Sequence, residues 1–195
     1  MRRFFGKTIL VKKMIFYTFI DENADHSEEH SAAHKLLSEG LKRLYGISGF
    51  RLETGEHGKP YLPDHPEIHF NSSHCKGLVV CGISDKEIGV DGEHVRSFDP
   101  RVMKRIFSAE ERELVTLSEF PEMDFFRIWT LKEALGKYLG KGIFFGAERY
   151  SFSLDGEFPL CKNVSGKIFT QKILNEKWVV SICAHYPEKD FIFIG

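Results

Sequence analysis

Apolar residues follow two rhythms along this chain, and the changes between them mark its elements. "MIFYTFI", residues 14–20, is a short apolar run that reads as a first strand. Leu36, Leu37, Leu41, Leu44 and Tyr45 then recur at three- and four-residue steps, the stripe of an amphipathic helix. Ser27 is placed to cap that helix, Glu28 and Glu29 suit its positive end, and Gly46 suits its stop. "ETGEHGKPYLPDHPE" is dense in Gly and Pro and reads as loop. Three short apolar runs follow: "IHFNSS", "GLVVCGIS" and "EIGVDGE". Asp85-Lys86, between the last two, predicts a hairpin turn.

In the second half, "FSAEERELVTLSEF" opens with a capping box, Ser108 followed three residues later by Glu111. The next helix, "DFFRIWTLKEALGKYLGKG", is expected to start at Asp124 and stop at Gly140 or Gly142. Ile128, Leu131, Leu135 and Leu139 make its core face, while Phe125, Trp129, Glu133 and Lys137 follow at four-residue steps on another. Taken alone, that second face reads as half exposed, with a Glu133–Lys137 surface pair worth roughly a few tenths of a kcal/mol. "ERYSFSL", "KIFTQKIL", "KWVVSICA" and "FIFI" then look like strands, with Asp155-Gly156 and Asn175-Glu176 as turns. Helices mixed with antiparallel-looking strands predict an α+β fold. The sequence holds no repeat, low-complexity tract or long linker.

Length and composition narrow this further. A chain of 195 residues supports one good core, as a single domain or two small lobes packed together. Hydrophobic content of 42% and charged content of 28% belong to an ordinary globular protein. A net charge of −1 gives no basic excess, so nothing demands nucleic acid as a partner, and a monomer is expected. Eighteen phenylalanines predict an aromatic-rich core or an apolar groove. Cys75, Cys81, Cys161 and Cys183 form no CxxC pair and no zinc spacing; three lie in apolar runs, as buried reduced thiols do. That fits a reducing cytoplasm. The opening is basic and then apolar, but Lys7, Lys12 and Lys13 interrupt it and no small-residue cleavage site follows. Residues 1–13 read as an N-terminal extension, with Met14 as an alternative start, and no apolar run reaches the length of a membrane span.

The candidate chemistry begins at Asp91 and Glu93, two apart in "EIGVDGEHVR" and therefore on one face of a strand. Two like charges so placed are either screened by solvent at a strand end, with Gly92 marking a bulge or an edge, or share a cation. Mg²⁺ is held by one or two carboxylates together with phosphate oxygens and waters, and Glu133 offers a third carboxylate. Lys59 and His74, in the loops before this strand, are the positive groups a pyrophosphate would need.

Read in order, "GKP", "FNSSH", "IGVDGE", "FSAEE" and "WTLKEALGKYLGKG" resemble the 4′-phosphopantetheinyl transferase superfamily, in its Sfp-like group. That group shows GKP, FN-x-SH, G-V/I-D-x-E, F-S/T-x-x-E and W-S/T-x-KE-x-x-x-K-x-x-G-x-G. Each piece is weak alone; five in order across residues 58–142 are specific. The resemblance implies Mg²⁺-dependent transfer from coenzyme A to a serine of an acyl or peptidyl carrier protein, with release of 3′,5′-ADP. It implies Asp91, Glu93 and Glu133 around Mg²⁺, and Glu133 and Lys137 as catalytic groups. It implies Lys59, Pro60, Ser73 and His74, with Asp91 and Lys137, at the coenzyme. The implied fold is two similar α+β lobes, 14–86 and 87–195, with the active site in the cleft between them.

Three features depart from the group. Gly92 stands where a large aliphatic residue is usual, which removes a core anchor beside the ligands, and Cys75 stands where a serine often follows. The basic residues that hold the coenzyme's 3′-phosphate have no clear match; His34 and Lys35 are the nearest. Arg101, Lys104 and Arg105 in "RSFDPRVMKRIF" form either a cationic connector or, in this family, a docking surface for an acidic carrier protein. Two other classes compete: a coenzyme- or carrier-binding module without turnover, and a Mg²⁺-dependent phosphodiesterase. Glu133 and Lys137 argue against the first, and the balanced charge against the second.

Overall fold

The computed structural model describes residues 13–55, 58–141, 146–156, 158–187 and 189–195. The opening through residue 12 and the alternative helix stop at Gly142 lie outside the described residues. The elements are β1 (Met14–Phe19), α1 (His26–Tyr45), β2 (Glu53–Thr54), β3 (Pro60–Tyr61), β4 (His69–Cys75), β5 (Leu78–Ser84) and β6 (Gly89–His94). Then come α2 (Pro100–Ile106), α3 (Ala109–Leu117), α4 (Pro121–Tyr138), β7 (Phe152–Ser153), β8 (Leu160–Cys161), β9 (Ile168–Leu174), β10 (Trp178–Ala184) and β11 (Phe191–Phe193). The fold is mixed α+β, as the sequence pattern predicts.

One sheet has the order β11-β1-β5-β4 and the other β6-β10-β9. Their facing sides meet in a core of Ile15, Leu78, Val80, Ile88, Val90, Trp178, Val180 and Ile182. On the outer side of the first sheet, Leu36, Leu37 and Leu41 of α1 pack on Phe16, Val79, Cys81 and Ile83. On the outer side of the second, α4 lays Leu131, Ala134 and Leu135 against Phe169 and Cys183. The layers therefore run helix, sheet, sheet, helix. This explains why β5 and β10 are buried at every position: each has apolar neighbours on both faces.

The predicted hairpin between β5 and β6 does not form. β5 pairs with β1 and β4, whereas β6 pairs with β10. Asp85-Lys86 is a crossover between layers, because Ile88 and Val90 bury themselves between the two sheets rather than continuing one of them. Two helix starts also move. Asp25, not Ser27, caps α1 and forms a capping box with Glu28. α4 begins three residues before Asp124, at Pro121, whose fixed φ suits a first turn. The stops hold: Gly46 closes α1 at φ 75° and Gly140 follows α4 at φ 66°. Asn175 and Glu176 both take positive φ and turn β9 into β10. All four cysteines are free, Cys81 and Cys183 fully buried. No helix among the described residues is long and apolar enough to cross a membrane.

Candidate functional site

Alternation along β6 sorts its residues between core and chemistry. An added Cβ at Gly92 would meet Val80 Cγ1 at 3.2 Å and Leu78 Cδ2 at 3.5 Å, so that position faces the first sheet. Gly89, Asp91 and Glu93 consequently face the opposite way, towards α4. The register with β10 runs unbroken through Gly92 and Val180, so there is no bulge; β6 is an edge strand of its sheet. Val80 and Leu78 occupy the space into which a larger residue at 92 would reach, and so take over the anchoring that glycine cannot supply.

Gly89 sets how closely α4 approaches. A Cβ there would lie 2.1 Å from the carbonyl oxygen of Ala134 and 2.4 Å from the amide nitrogen of Tyr138. Backbone meets backbone at this crossing, which only glycine permits. Gly89→Ala should therefore push α4 off β6, costing about 1–3 kcal/mol as overpacking does. Turnover should fall further than stability accounts for, because Glu133 and Lys137 ride on the displaced helix. Thermal melts set beside kinetics below the melting range check this; normal turnover would mean the approach is not needed for activity.

Asp91 is only 5% exposed. Its Oδ1 accepts from Lys137 Nζ at 2.8 Å and from Ser73 Oγ at 2.9 Å, while its Oδ2 is buried with no hydrogen-bond partner. Glu93 Oε2 accepts from Arg96 Nη1 at 2.8 Å. Burial, opposed by Arg96 and reinforced by Asp91, holds the Glu93 carboxyl above its ordinary range. Burial and then the Asp91 charge push Glu133 up to about 7. The expected surface pair between Glu133 and Lys137 is absent: Lys137 gives its ammonium to Asp91, since this helix face lies against β6 and not in water.

β4 supplies the other polar groups. His74 lies within this strand rather than in a loop, and its Nδ1 is 2.8 Å from Glu29 Oε2 on α1. Burial lowers the His74 pKa, with Glu29 acting in the opposite direction. Lys59 pairs with Glu87 and approaches the carbonyl oxygens of Ile88 at 3.4 Å and Lys137 at 3.3 Å, near the negative end of α4. Lys59 and Pro60 line a cavity of about 330 Å³ with His69 and Glu87. His34 stacks on Phe50 and lines a cavity of about 630 Å³ with Thr54, Pro60, Phe70 and Ser72. The structure thus gathers Asp91, Glu93, Glu133, Lys137 and Ser73. It sets Lys59 at the C-terminal end of α4 and His74 against α1.

Two polar residues have roles that their sequence positions did not reveal. Asn71 Oδ1 accepts from the amide of Val90 at 2.7 Å, satisfying a donor on the edge strand. Lys132 is fully buried, with Nζ 2.9 Å from Glu111 Oε2 and 2.8 Å from the carbonyl oxygen of Ala147. Their places within "FNSSH", "FSAEE" and "LKE" were the only signal. Beside Arg96, Phe98, Val102, Phe125, Phe126 and Trp129 line an apolar groove of about 230 Å³. Some of the phenylalanines gather here: Phe125 stacks on both Phe98 and Phe107.

The donor set fits a hard divalent cation. Asp91, Glu93 and Glu133 lie near enough to feel one another's charge, with Lys137 among them; two have raised proton affinity, and one buried oxygen has no hydrogen-bond partner. Oxygen donors of this kind suit Mg²⁺.

Comparison with known proteins identifies the family. The sequence model of the 4′-phosphopantetheinyl transferase superfamily matches residues 87–183, from just before β6 to β10. The chain is 31% identical over 161 residues to 4′-phosphopantetheinyl transferase Sfp of Bacillus subtilis, covering 78% of this chain and 72% of that one. It is 38% identical over 112 residues to 4′-phosphopantetheinyl transferase psf-1 of Bacillus pumilus, covering 55% and 48%. It is 33% identical over 140 residues to 4′-phosphopantetheinyl transferase AcpT of Salmonella typhimurium, covering 69% and 67%.

Proposed function

We propose, given that the chain belongs to the 4′-phosphopantetheinyl transferase superfamily and is a transferase enzyme, that it moves the 4′-phosphopantetheine group of coenzyme A onto a carrier-protein serine. The carrier is an acyl or peptidyl carrier protein, the reaction takes Mg²⁺, and 3′,5′-ADP leaves. The observation that carries this reading is the unpartnered, buried Oδ2 of Asp91 beside two carboxylates of raised proton affinity.

Asp91, Glu93 and Glu133 would hold Mg²⁺, which when bound supplies positive charge to the coenzyme's pyrophosphate. The chain's own residues do the rest. Glu133 accepts the proton of the carrier serine hydroxyl, directly or through a water. The serine oxygen bonds to the β-phosphorus as the bond to the α-phosphate oxygen breaks, and that electron pair leaves with 3′,5′-ADP. The Lys137 ammonium offsets charge growing on the departing phosphate. Ser73 keeps Asp91 turned by donating to Oδ1. Lys59, Pro60 and His74 flank the coenzyme, whose nucleotide end fits the 630 Å³ cavity between α1 and β4. The groove beside Arg96 and the exposed Arg101, Lys104 and Arg105 of α2 receive the acidic carrier.

In this reading residues 14–86 and 87–195 are two lobes with the site between them, β11 reaching back from the second to pair with β1 of the first, and the protein acts as a cytoplasmic monomer. The packing of Val80 and Leu78 onto Gly92 weakens the case for a module without turnover. Incubating the protein with coenzyme A, Mg²⁺ and a panel of apo carrier proteins, then weighing the products by mass spectrometry, tests the proposal. A covalent mass gain equal to one phosphopantetheine on the carrier is expected, and no gain on any carrier would overturn it.

The carboxylates also predict a pH dependence. Glu133 has an ordinary value of 4.5 and stands at about 7 in the folded, metal-free chain, so the folded state binds more protons than the unfolded state between those values. Stability from this group is complete below the lower value and is lost as pH rises through the upper one. Metal-free Glu133→Gln protein should therefore gain on the wild type in denaturation midpoint as pH rises from about 4.5 to about 8. Parallel denaturation series with a chelator present decide it. A constant difference would mean that burial and the Asp91 charge do not raise Glu133.

A further inference from the structure

Away from the carboxylates, three imidazoles meet where α1 begins. His26 and His30 stand one turn apart on α1, with their Nε2 atoms 3.3 Å from each other. His74 comes across from β4, its ring 5.8 Å from that of His26 and 5.3 Å from that of His30. One ligating atom from each of the three lies within 4.8 Å of the other two. We propose that His26, His30 and His74 form a binding site for a borderline divalent metal ion, Zn²⁺ or Co²⁺, whose occupation withdraws His74 from the coenzyme.

The spacing carries the argument. A tetrahedral metal with Zn–N bonds of about 2.0–2.1 Å holds its nitrogens about 3.3–3.4 Å apart. The His26–His30 pair already stands at that distance. His74 needs to close by no more than about 1.5 Å to complete three legs of the tetrahedron, within reach of side-chain rotation. Its other nitrogen is already engaged: Glu29, with a side chain only 18% exposed, holds Nδ1 and leaves Nε2 for a metal. A carboxylate behind a ligating imidazole fixes the ring's orientation and raises its basicity as a ligand. Asp25, Glu28 and Glu29 at this end of α1 offset the helix's partial positive charge, which would otherwise oppose a cation.

The chemistry is distinct from that of the carboxylate cluster. Imidazole nitrogens suit zinc, cobalt, nickel and copper, whereas Mg²⁺ takes oxygen. His26 and His30 are exposed and His74 partly so, which leaves the fourth position open to water. His30 also lines the 630 Å³ cavity, so the metal sits at its rim. Withdrawal of His74 rests on the coenzyme role proposed above; the metal site itself does not.

Two measurements separate the parts. Protein titrated with Co²⁺ in excess Mg²⁺ should develop the visible ligand-field absorption of tetrahedral cobalt, saturating at one ion per chain and bleached by Zn²⁺. That absorption should vanish in His26→Gln and in His30→Gln and persist in Asp91→Asn. No tetrahedral absorption, or one that survives both histidine changes, overturns the site. Calorimetry with coenzyme A should then show affinity falling by at least about tenfold when Zn²⁺ is added to wild type, and no such fall in His26→Gln. Equal affinity with and without Zn²⁺ overturns the coupling. Coenzyme that fails to bind even without Zn²⁺ overturns the role given to His74 instead, and leaves the cobalt result standing.

Discussion

Glu133→Gln should lower turnover by ~10²–10⁴ and leave coenzyme affinity little changed, the loss that removal of a general base typically brings. Glutamine keeps the shape and one carbonyl acceptor of glutamate but cannot take a proton. Glu133 has a carboxylate that can, and in the metal-free chain burial and the nearby Asp91 charge raise its proton affinity to about 7. The alternative is the exposed Glu–Lys pair that helical spacing alone favours, for which the same change alters stability by less than about 1 kcal/mol and activity not at all. Lys137 already contradicts that alternative by pairing with Asp91. Steady-state kinetics at saturating Mg²⁺ measures the outcome, and near wild-type turnover would sink the mechanism. Lys137→Ala in the same assay should also be slow, because its ammonium holds Asp91 and, in the proposed mechanism, offsets charge on the leaving phosphate.

Lys132→Met should be strongly destabilising, costing about 3–5 kcal/mol as rupture of a buried ion pair does. Lys132 and Glu111 are both fully buried and 2.9 Å apart. Lys132 also donates to the carbonyl oxygens of Ala147 and Tyr150, and so ties α4 to the segment that leads into β7. Glu111 accepts from the amides of Ser108 and Phe152, closing the cap of α3 and joining it to the same segment. Methionine fills the volume but leaves a buried carboxylate without its cation. Adding Glu111→Leu should recover part of the loss, since the stranded charge goes, but not all of it, since two backbone donors then lack a partner. Urea denaturation of wild type, both single variants and the double variant gives the comparison; a loss below about 1 kcal/mol for Lys132→Met would show that the pair is solvated.

The two adjacent residues of "KE" thus divide their work: Lys132 points into the core and Glu133 towards β6. Sequence spacing marked both positions but distinguished them only weakly. One hundred degrees per residue separates the faces of a helix, yet what lies opposite each face depends on elements far away in the chain. Asp91 and Glu93 were legible for the opposite reason. Their common face follows from the two-residue period of a strand and needs no partner to define it.

Much of the local architecture was likewise readable. The strand runs, the capping box at Ser108, the stops at Gly46 and Gly140, and the turn at Asn175-Glu176 depend on interactions within a few residues, which the sequence states directly. What failed was pairing. "GLVVCGIS" and "EIGVDGE" looked like two arms of a hairpin, but burial of Ile88 and Val90 between two sheets sends the second arm to β10, far along the chain. By itself, then, the sequence determined the α+β class and the family, and singled out the carboxylates of the candidate site. Tertiary structure decided that Gly89 lets α4 reach Asp91, that Lys137 pairs there rather than with Glu133, and that His74 meets His26 and His30. Each of these is a contact between elements distant in the chain, fixed by the packing of whole layers, and no local pattern encodes it.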